Sequence, residues 1–196
     1  MRAGAHAIIT IIVIMVIIFF YLFFVKPIDK RIKSAIISMN QEERRIAMNK
    51  TVWFDMDGTI ADLYGVEGWL NDIRANNTRP YDTAKVMLNM SQFARLLNHV
   101  QRNGYKIGII SWTSKGGSDL YNGQVALAKM AWLYKHLKSV QWDEIKIVPY
   151  GTNKFNACNG GILFDDEENN RNVWGTHAYE PNDIIKVLKQ LIKEKE

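Results

Sequence analysis

Residues 52–59 read Val-Trp-Phe-Asp-Met-Asp-Gly-Thr, an apolar run that ends in two aspartates one residue apart and a glycine. Side chains alternate along a strand, so Asp55 and Asp57 are expected to point to the same side, where both can face one metal ion and one anionic substrate. Gly58 allows a tight turn that brings backbone amides close to a phosphate. The stretch therefore predicts a buried strand that ends in an active site.

An Asp-x-Asp-Gly sequence also opens calcium-binding loops, but the spacing excludes such a loop here. An EF-hand has glycine at the sixth position of its loop and a bidentate glutamate at the twelfth. Counted from Asp55, those two positions hold Ile60 and Val66. The pair of aspartates is therefore assigned to another kind of site.

Two candidate phosphate-binding residues follow later apolar strands. Residues 107–111 read Ile-Gly-Ile-Ile-Ser, and the hydroxyl of Ser111 can hydrogen-bond a phosphoryl oxygen. Lys154 comes after the predicted strand 145–148 and offers a cation. Taken alone, such a serine is usually a turn former and such a lysine is usually solvated, so their weight comes from their positions after the strands.

A fourth apolar segment, residues 162–166, reads Ile-Leu-Phe-Asp-Asp. A pair such as Asp165 and Asp166 is common as a helix cap, but beside Asp55 it also offers hard oxygen ligands suited to Mg²⁺. All four segments end in polar residues at the carboxyl ends of predicted parallel strands. Open α/β sheets bind their ligands at those ends.

Strands alternate with helical patterns along the catalytic part of the chain. Apolar spacing predicts helices over about 86–103 and about 124–137, and a last helix with Pro181 near its first turn. This alternation predicts an α/β fold, a Rossmann-like parallel sheet with helices on both faces. Residues 61–85 form a polar, aromatic-bearing insertion between the first strand and the first of these helices.

The order of these segments resembles the haloacid dehalogenase-like (HAD) phosphohydrolase superfamily over roughly residues 51–196. The first family motif, Asp-x-Asp-Gly-Thr, is matched by residues 55–59. The strand-end hydroxyl, the lysine and the acidic pair of the later motifs are matched by Ser111, Lys154, Asp165 and Asp166. Receiver domains use similar residue types, but their acidic pair precedes the phosphoaccepting aspartate, so the order excludes them.

The resemblance implies an aspartyl-phosphate mechanism, and the residue types suit it. Asp55 would be the nucleophile, and Asp57 would protonate the leaving group and later deprotonate water. Mg²⁺ would be held by the carboxylates of Asp55 and Asp165 and the carbonyl of Asp57, with Asp166 acting through water. Phosphate binding would fall to Gly58, Thr59, Ser111 and Lys154. Residues 61–85 would be a small cap.

A narrower likeness is to the 5'(3')-deoxyribonucleotidases, which carry a Lys-x-x-Trp helix ending in a His-Leu or similar pair. Residues 129–132 read Lys-Met-Ala-Trp and run into such a pair. By that match Lys129 is a second phosphate-binding cation; otherwise the segment is an ordinary amphipathic helix with Trp132 in the core. Residues 112–114 read Trp-Thr-Ser where the nucleotidases usually show Ser-Pro, which leaves nucleotide specificity open.

Residues 1–47 differ from the rest of the chain. Ala7 to Val25 is a run of nineteen uncharged residues, long enough to cross a bilayer as one transmembrane helix. Only Arg2 precedes the run, whereas four basic residues follow it, namely Lys26, Lys30, Arg31 and Lys33. The positive-inside rule then predicts a single-pass membrane anchor with a cytoplasmic catalytic domain.

An alternative interpretation starts the protein at Met48, three residues before the first strand. Residues 43–45 read Glu-Arg-Arg and can be encoded by a ribosome-binding sequence, which would make residues 1–47 a spurious upstream extension. The protein would then be soluble and cytoplasmic, with no membrane partner. Under either interpretation, residues 48–196 are the predicted HAD-like phosphohydrolase domain.

The net charge of +5 arises in the first fifty residues, which hold eight Lys or Arg against three acids, while the remainder holds 17 of each. No dedicated nucleic-acid-binding patch is therefore evident in the catalytic part. The single cysteine, Cys158, excludes an internal disulfide framework, and it has no Cys or His at zinc-ligand spacing.

The sequence thus predicts a Mg²⁺-dependent phosphatase whose partner is a small phosphorylated substrate, a nucleotide or another phosphomonoester. Trp69, Tyr81 and Trp112 could stack on a nucleobase, although aromatic residues in such places are more often part of the core. Two alternatives stay open. One is a phosphatase of nucleic-acid ends or phosphoproteins that exploits the short cap, and the other is a non-catalytic binding or scaffold protein with the same fold.

Overall fold

The chain divides into two units, Met1–Ile46 and Ala47–Glu196. The computed structural model describes residues 50–193, which belong to the second unit. Seven strands lie in this range, namely β1 (Thr51–Phe54), β2 (Ala61–Asp62), β3 (Lys85–Val86), β4 (Lys106–Trp112), β5 (Glu144–Val148), β6 (Ile162–Phe164) and β7 (Ala178–Tyr179). The helices are α1 (Trp69–Arg74), α2 (Arg79–Thr83), α3 (Met90–Arg102), α4 (Asp119–His136), α5 (Lys154–Cys158), α6 (Glu168–Trp174) and α7 (Ile184–Lys193), the last preceded by a 3-10 turn (Pro181–Asp183).

Five strands form one parallel sheet in the order β5-β4-β1-β6-β7. Strand β1 lies at its centre, and all four of its residues are buried. A strand covered on both faces is largely apolar, which explains why the three residues that follow Thr51 in β1 are all apolar and do not alternate with polar ones. The predicted α/β class with a parallel sheet is confirmed.

Helices cover both faces of the sheet, as predicted. On one face, Phe54 of β1 packs with Phe93 of α3 and Leu188 of α7 in the larger core cluster. On the other face, Trp53 packs with Trp174 of α6 in a smaller cluster. Adjacent residues of β1 therefore pack into the cores on opposite faces of the sheet, because side chains alternate along the strand.

Two helix starts differ from the sequence-based expectation. Helix α3 begins at Met90 rather than near residue 86, because β3 pairs with β2 and Asn89 then caps the helix by accepting from the amide of Gln92. Helix α4 begins at Asp119 rather than residue 124, because the hydroxyl of Ser118 accepts from the amide of Tyr121. Asparagine and serine stabilise a helix start in this way. Sequence periodicity also missed β7, α5 and α6, which are all short.

The predicted cap segment, residues 61–85, contains β2, α1 and α2 and ends in β3. Its two ends are held together because β2 and β3 pair antiparallel. Within residues 50–193, no helix is both long and apolar enough to span a bilayer. The candidate span from Ala7 to Val25 lies outside the described residues, so the anchor and the upstream-extension interpretations both stay predictions.

A close contact between two central strands gives the first testable expectation. Gly108 of β4 faces Trp53, and a Cβ at Gly108 would lie 2.4 Å from Cζ3 of that indole. The indole cannot move freely because its Nε1 donates to the carbonyl of Gly160 at 3.1 Å. We therefore expect Gly108→Ala to lower the free energy of unfolding by about 1–3 kcal/mol, measured by urea denaturation.

Gly123 is the matched control, because it lies within α4 and a Cβ there would meet no atom within 4 Å apart from its chain neighbours and the backbone of its own helix. Gly123→Ala is expected to raise stability by about 0.5–1 kcal/mol, since alanine favours the helix. Equal stabilities of Gly108→Ala and the unaltered chain would contradict the packing described for β1 and β4.

Candidate active site

The carboxyl ends of neighbouring parallel strands bring the predicted site residues together. Asp55 and Asp57 follow β1, while Met56 between them is buried in the larger core cluster. The alternation expected from the sequence therefore continues past the end of the strand, and both aspartates line one cavity. The other strand ends contribute Ser111 in β4, the acidic pair after β6, and Lys154 at the first position of α5 after β5.

The turn after β1 is held by hydrogen bonds among its own backbone groups. The amides of Thr59, Ile60 and Ala61 all donate to the carbonyl of Met56 at 2.9–3.1 Å, and the amide of Gly58 donates to the carbonyl of Ala61. Gly58 has a φ of 73°, a left-handed conformation that favours glycine. The amides of Gly58 and Thr59 thus bond within the turn, so their predicted contact with phosphate stays a prediction.

Gly58 and Thr59 fix the position of Asp166. A Cβ on Gly58 would lie 2.4 Å from Oδ2 of Asp166, so the missing side chain makes room for this carboxylate. The buried hydroxyl of Thr59 accepts from the amide of Asp166 at 3.1 Å. In the structure these two motif residues therefore support an acidic residue of the site.

Lys154 joins two of the acids. Its Nζ donates to Oδ1 of Asp55 at 2.9 Å and to Oδ2 of Asp165 at 2.6 Å, and all three side chains are buried. Burial alone would lower the pKa of Lys154, but the two carboxylates outweigh it and raise the pKa above its usual value. The lysine therefore stays an ammonium and balances much of the buried negative charge.

Lys129 reaches the site from α4. Its Nζ donates to Oδ2 of Asp57 at 2.6 Å, to Oγ of Ser111 at 2.9 Å and to the carbonyl of Trp112 at 2.7 Å. These contacts use all three donors of the ammonium group. The resemblance to nucleotidases implied that Lys129 is a phosphate-binding cation. The structure places its ammonium group against Asp57 and Ser111, and phosphate binding by Lys129 stays a prediction.

The pKa of Asp57 is raised above its ordinary value. Burial is the largest cause, the nearby carboxylate of Asp55 adds to it, and the ion pair with Lys129 opposes both. A raised pKa favours the protonated form, which a carboxyl group needs if it is to donate a proton near neutral pH. The direction of this shift therefore suits the predicted acid and base role.

Asp55, Asp165 and Asp166 form a possible metal site, since each offers a carboxylate oxygen and these oxygens lie within 4.8 Å of one another. Burial and repulsion from Asp55 raise the pKa of Asp165. Burial and repulsion from Asp55 and Asp165 raise the pKa of Asp166 to about 7. A divalent cation would relieve this crowding. The donor set contains only oxygen and includes two adjacent acids, so it fits Mg²⁺.

Two residues of α6 that the sequence argument missed hold this acidic cluster in place. The side-chain amide of Asn170 donates from Nδ2 to both carboxylate oxygens of Asp165, at 3.1 and 3.2 Å. The guanidinium of Arg171 donates to the carbonyls of Asp165 and Asp166 at 2.9 and 2.7 Å. The only signal in the sequence is a polar run, residues 169–171, that follows the acidic pair at about one helical turn.

The cavity above these residues has a volume of about 480 Å³. Aromatic pairs line it on two sides. The rings of Tyr64 and Trp69 lie 5.1 Å apart in the insertion, and those of Trp112, the last residue of β4, and Tyr150, which follows β5, lie 4.9 Å apart. Tyr81 also lines it, so all three aromatic residues singled out in the sequence lie at the cavity. Arg74 and Lys115 add exposed cationic side chains.

No protein-family model matches the chain, and no curated protein matches it. Among solved structures, it is similar to a D,D-heptose 1,7-bisphosphate phosphatase from Burkholderia thailandensis, with 12% identity and a TM-score of 0.47 over 73% of this chain and 98% of that one. This similarity is too low to assign that protein's substrate to this chain. The chain resembles the HAD phosphohydrolases in its four motifs and in their meeting at one edge of the sheet. No comparison supports the narrower likeness to deoxyribonucleotidases.

The contacts of Lys154 make the acidic cluster testable without an activity assay. Removing one partner of a buried ion pair costs about 3–5 kcal/mol, so Lys154→Met should lower the melting temperature markedly. Mg²⁺ should restore much of this loss, because it neutralises the same carboxylates and binds the folded chain selectively. We expect Mg²⁺ to raise the melting temperature more in Lys154→Met than in the unaltered chain, measured by calorimetry.

The control is Lys189→Met, which removes an exposed lysine from α7. It should change neither the melting temperature nor its response to Mg²⁺ by more than a degree or so. If Mg²⁺ stabilises none of the three proteins, Asp55, Asp165 and Asp166 do not form a metal site.

Proposed function

We propose that the chain is a Mg²⁺-dependent phosphomonoester hydrolase that works through an aspartyl-phosphate intermediate. The observation that carries the proposal is the arrangement around Asp55. This carboxylate lines the cavity, bonds to a buried lysine and lies within a cluster of three acids. A second carboxyl group with a raised pKa, that of Asp57, lines the same cavity.

The first step is the attack of an Asp55 carboxylate oxygen on phosphorus. A bond forms between that oxygen and phosphorus, and the bond from phosphorus to the leaving oxygen breaks. Asp57 transfers its proton to the leaving oxygen, so the product alcohol departs neutral. Splitting the displacement in two in this way replaces one difficult step with two easier ones.

The second step reverses these roles. Water attacks phosphorus, Asp57 takes a proton from it, and the bond to Asp55 breaks. Inorganic phosphate leaves, and both aspartates return to their starting states. The same carboxyl group therefore acts first as an acid and then as a base.

The cations of the site oppose the repulsion between a carboxylate nucleophile and an anionic substrate. Lys154 contacts the nucleophile directly, and Lys129 connects Asp57 with the hydroxyl of Ser111. Asp55, Asp165 and Asp166 would hold Mg²⁺, which when bound neutralises charge on the nucleophile and the phosphoryl oxygens. Charge neutralisation and positioning supply most of the catalysis in phosphoryl transfer.

The walls of the cavity support a small substrate with a planar group. A volume of about 480 Å³ falls in the usual range for small-molecule sites. The aromatic pairs can contact a ring, and Arg74 and Lys115 can attract a further anionic group. We propose a nucleotide or another small phosphomonoester, to be identified by phosphate release from nucleotides, sugar phosphates, phosphopeptides and 3'- or 5'-phosphorylated oligonucleotides.

The nucleophile is tested by Asp55→Asn, which should abolish phosphate release because an amide cannot replace the carboxylate in the attack. Phosphate release is measured with a generic aryl phosphate in buffer with Mg²⁺, and circular dichroism checks the fold. Asp82→Asn is the control, since Asp82 is an exposed acid on α2. It should keep full activity. Residual turnover above a few per cent in folded Asp55→Asn protein would refute the assignment.

The role of Lys129 is tested by Lys129→Met. A hydrogen bond to a charged group contributes roughly 1.5–3 kcal/mol, so kcat/KM should fall at least about tenfold. Since Lys129 contacts Asp57, we expect most of the loss in kcat, whereas a cation that only bound the substrate phosphate would raise KM. Lys135→Met, an exposed position on the same helix, should have no effect. A change below twofold in Lys129→Met would exclude Lys129 from the site's function.

A further inference from the structure

Helix α4 has two apolar faces, and only one of them is covered within the described part of the chain. Its inner face is buried in the domain, with the side chains of Tyr121, Val125, Ala128, Trp132 and Leu133. Its outer face carries Leu120, Leu127 and Tyr134, which are 77%, 68% and 53% exposed. Surface helices usually have one apolar stripe and one polar face. A second apolar face indicates that another protein surface or chain segment packs against it.

The three outer residues form one line. They are seven residues apart, which is nearly two helical turns, so their side chains lie above one another along about 21 Å of the helix. Between them the exposed positions are small or uncharged, namely Gly123, Gln124 and Ala131. We call the residues from Leu120 to Tyr134 on this face the outer stripe.

Charge is missing from the outer stripe and present at both of its ends. The only charged side chain between residues 120 and 134 is Lys129, which is 1% exposed and points into the active site. Exposed Asp119 precedes the stripe, and exposed Lys135 and Lys138 follow it. Depletion of charge in the centre of a surface with charges at its rim is typical of a protein interface.

We propose that the outer stripe binds the outer stripe of a second copy of this chain, with the two helices antiparallel and Leu127 at the twofold axis. In this arrangement Leu127 meets Leu127 of the other copy, and Leu120 lies level with Tyr134. Gly123 lies level with Ala131, so small residues allow the two backbones to approach closely. A symmetric pair must be self-complementary, and the spacing of the stripe about Leu127 meets that condition.

The charges at the ends of the stripe select the antiparallel arrangement. It places the acidic start of one helix beside the basic end of the other, and the two helix dipoles also oppose each other favourably. A parallel pair would instead bring Lys135 and Lys138 of both copies together, which is unfavourable. One helix pair is a small interface compared with the ~1,600 Å² of stable complexes, so we expect a reversible dimer with a dissociation constant of roughly micromolar order.

Disulfide cross-linking of the purified full chain tests the arrangement, with mild detergent present throughout because of the apolar residues 7–25. A disulfide requires Cα atoms within about 7 Å, which facing residues of packed helices satisfy. Leu127→Cys should cross-link with itself on brief oxidation, as seen on a non-reducing gel. Leu120→Cys and Tyr134→Cys should each fail alone, since like residues are about 21 Å apart along the axis, but a mixture of the two should cross-link.

Two controls accompany this test. Lys189→Cys places a thiol on exposed α7 and should give only the background of the unaltered chain, whose one cysteine, Cys158, is buried. Leu127→Glu should raise the dissociation constant measured by light scattering at least about tenfold, because a central apolar contact becomes a buried charge. It should leave phosphate release by the monomer unchanged.

Three results would overturn the proposal. Leu127→Cys could cross-link no faster than Lys189→Cys, which would mean that no second copy lies at the stripe. Leu120→Cys could cross-link alone as well as it does with Tyr134→Cys, which would mean a parallel pair. The thiol of Leu127→Cys could be protected from maleimide in dilute, monomeric protein, which would mean that another segment of the same chain covers the stripe.

Discussion

The burial of two carboxylates, those of Asp55 and Asp165, against the ammonium group of Lys154 is the constraint on which the rest of the site depends. Asp55 and Asp165 are both buried and both bond to Lys154. A buried charge without a partner is very costly, so the ammonium group of Lys154 is required for the two carboxyl groups to lie close together in the interior. The compact acidic site of the folded chain therefore depends on the buried ammonium group of Lys154.

The residues around the site likewise provide hydrogen-bond and ion-pair partners for its acidic groups. Hydrogen bonds from Asn170 and Arg171 satisfy acceptors of the acidic pair, and Thr59 binds the amide of Asp166. On the other side, Lys129 provides a positive partner for Asp57. Each acid therefore has a partner whose own position is fixed by packing. Rigid support of this kind holds reacting groups in place better than mobile loops do.

Sequence reasoning predicted most of the fold, and it named most of the residues that the structure brings together at the candidate site, for identifiable reasons. Strands β1, β4 and β6 are largely apolar runs that lead into a polar residue with an evident chemical use, and β5 is followed a few residues later by Lys154. The partners of those residues could not be predicted in the same way. The contact between Lys129 and Asp57 joins residues 72 positions apart, and no local pattern records which carboxylate the lysine will meet. The start of α3 was missed for a related reason, since it depends on the pairing of β2 with β3.

The central position of β1 also affects how the protein is made. The contacts that complete the site link residues 72, 99 and 107 positions apart, and they begin from the turn that follows β1. Long loops must close before such contacts form, so folds of this kind assemble slowly. During synthesis, β1 emerges early but gains its partner β6 only after residue 164 has left the ribosome. One edge of β1 therefore stays unpaired until β6 has been made, and an unpaired strand edge in a partly folded chain favours aggregation.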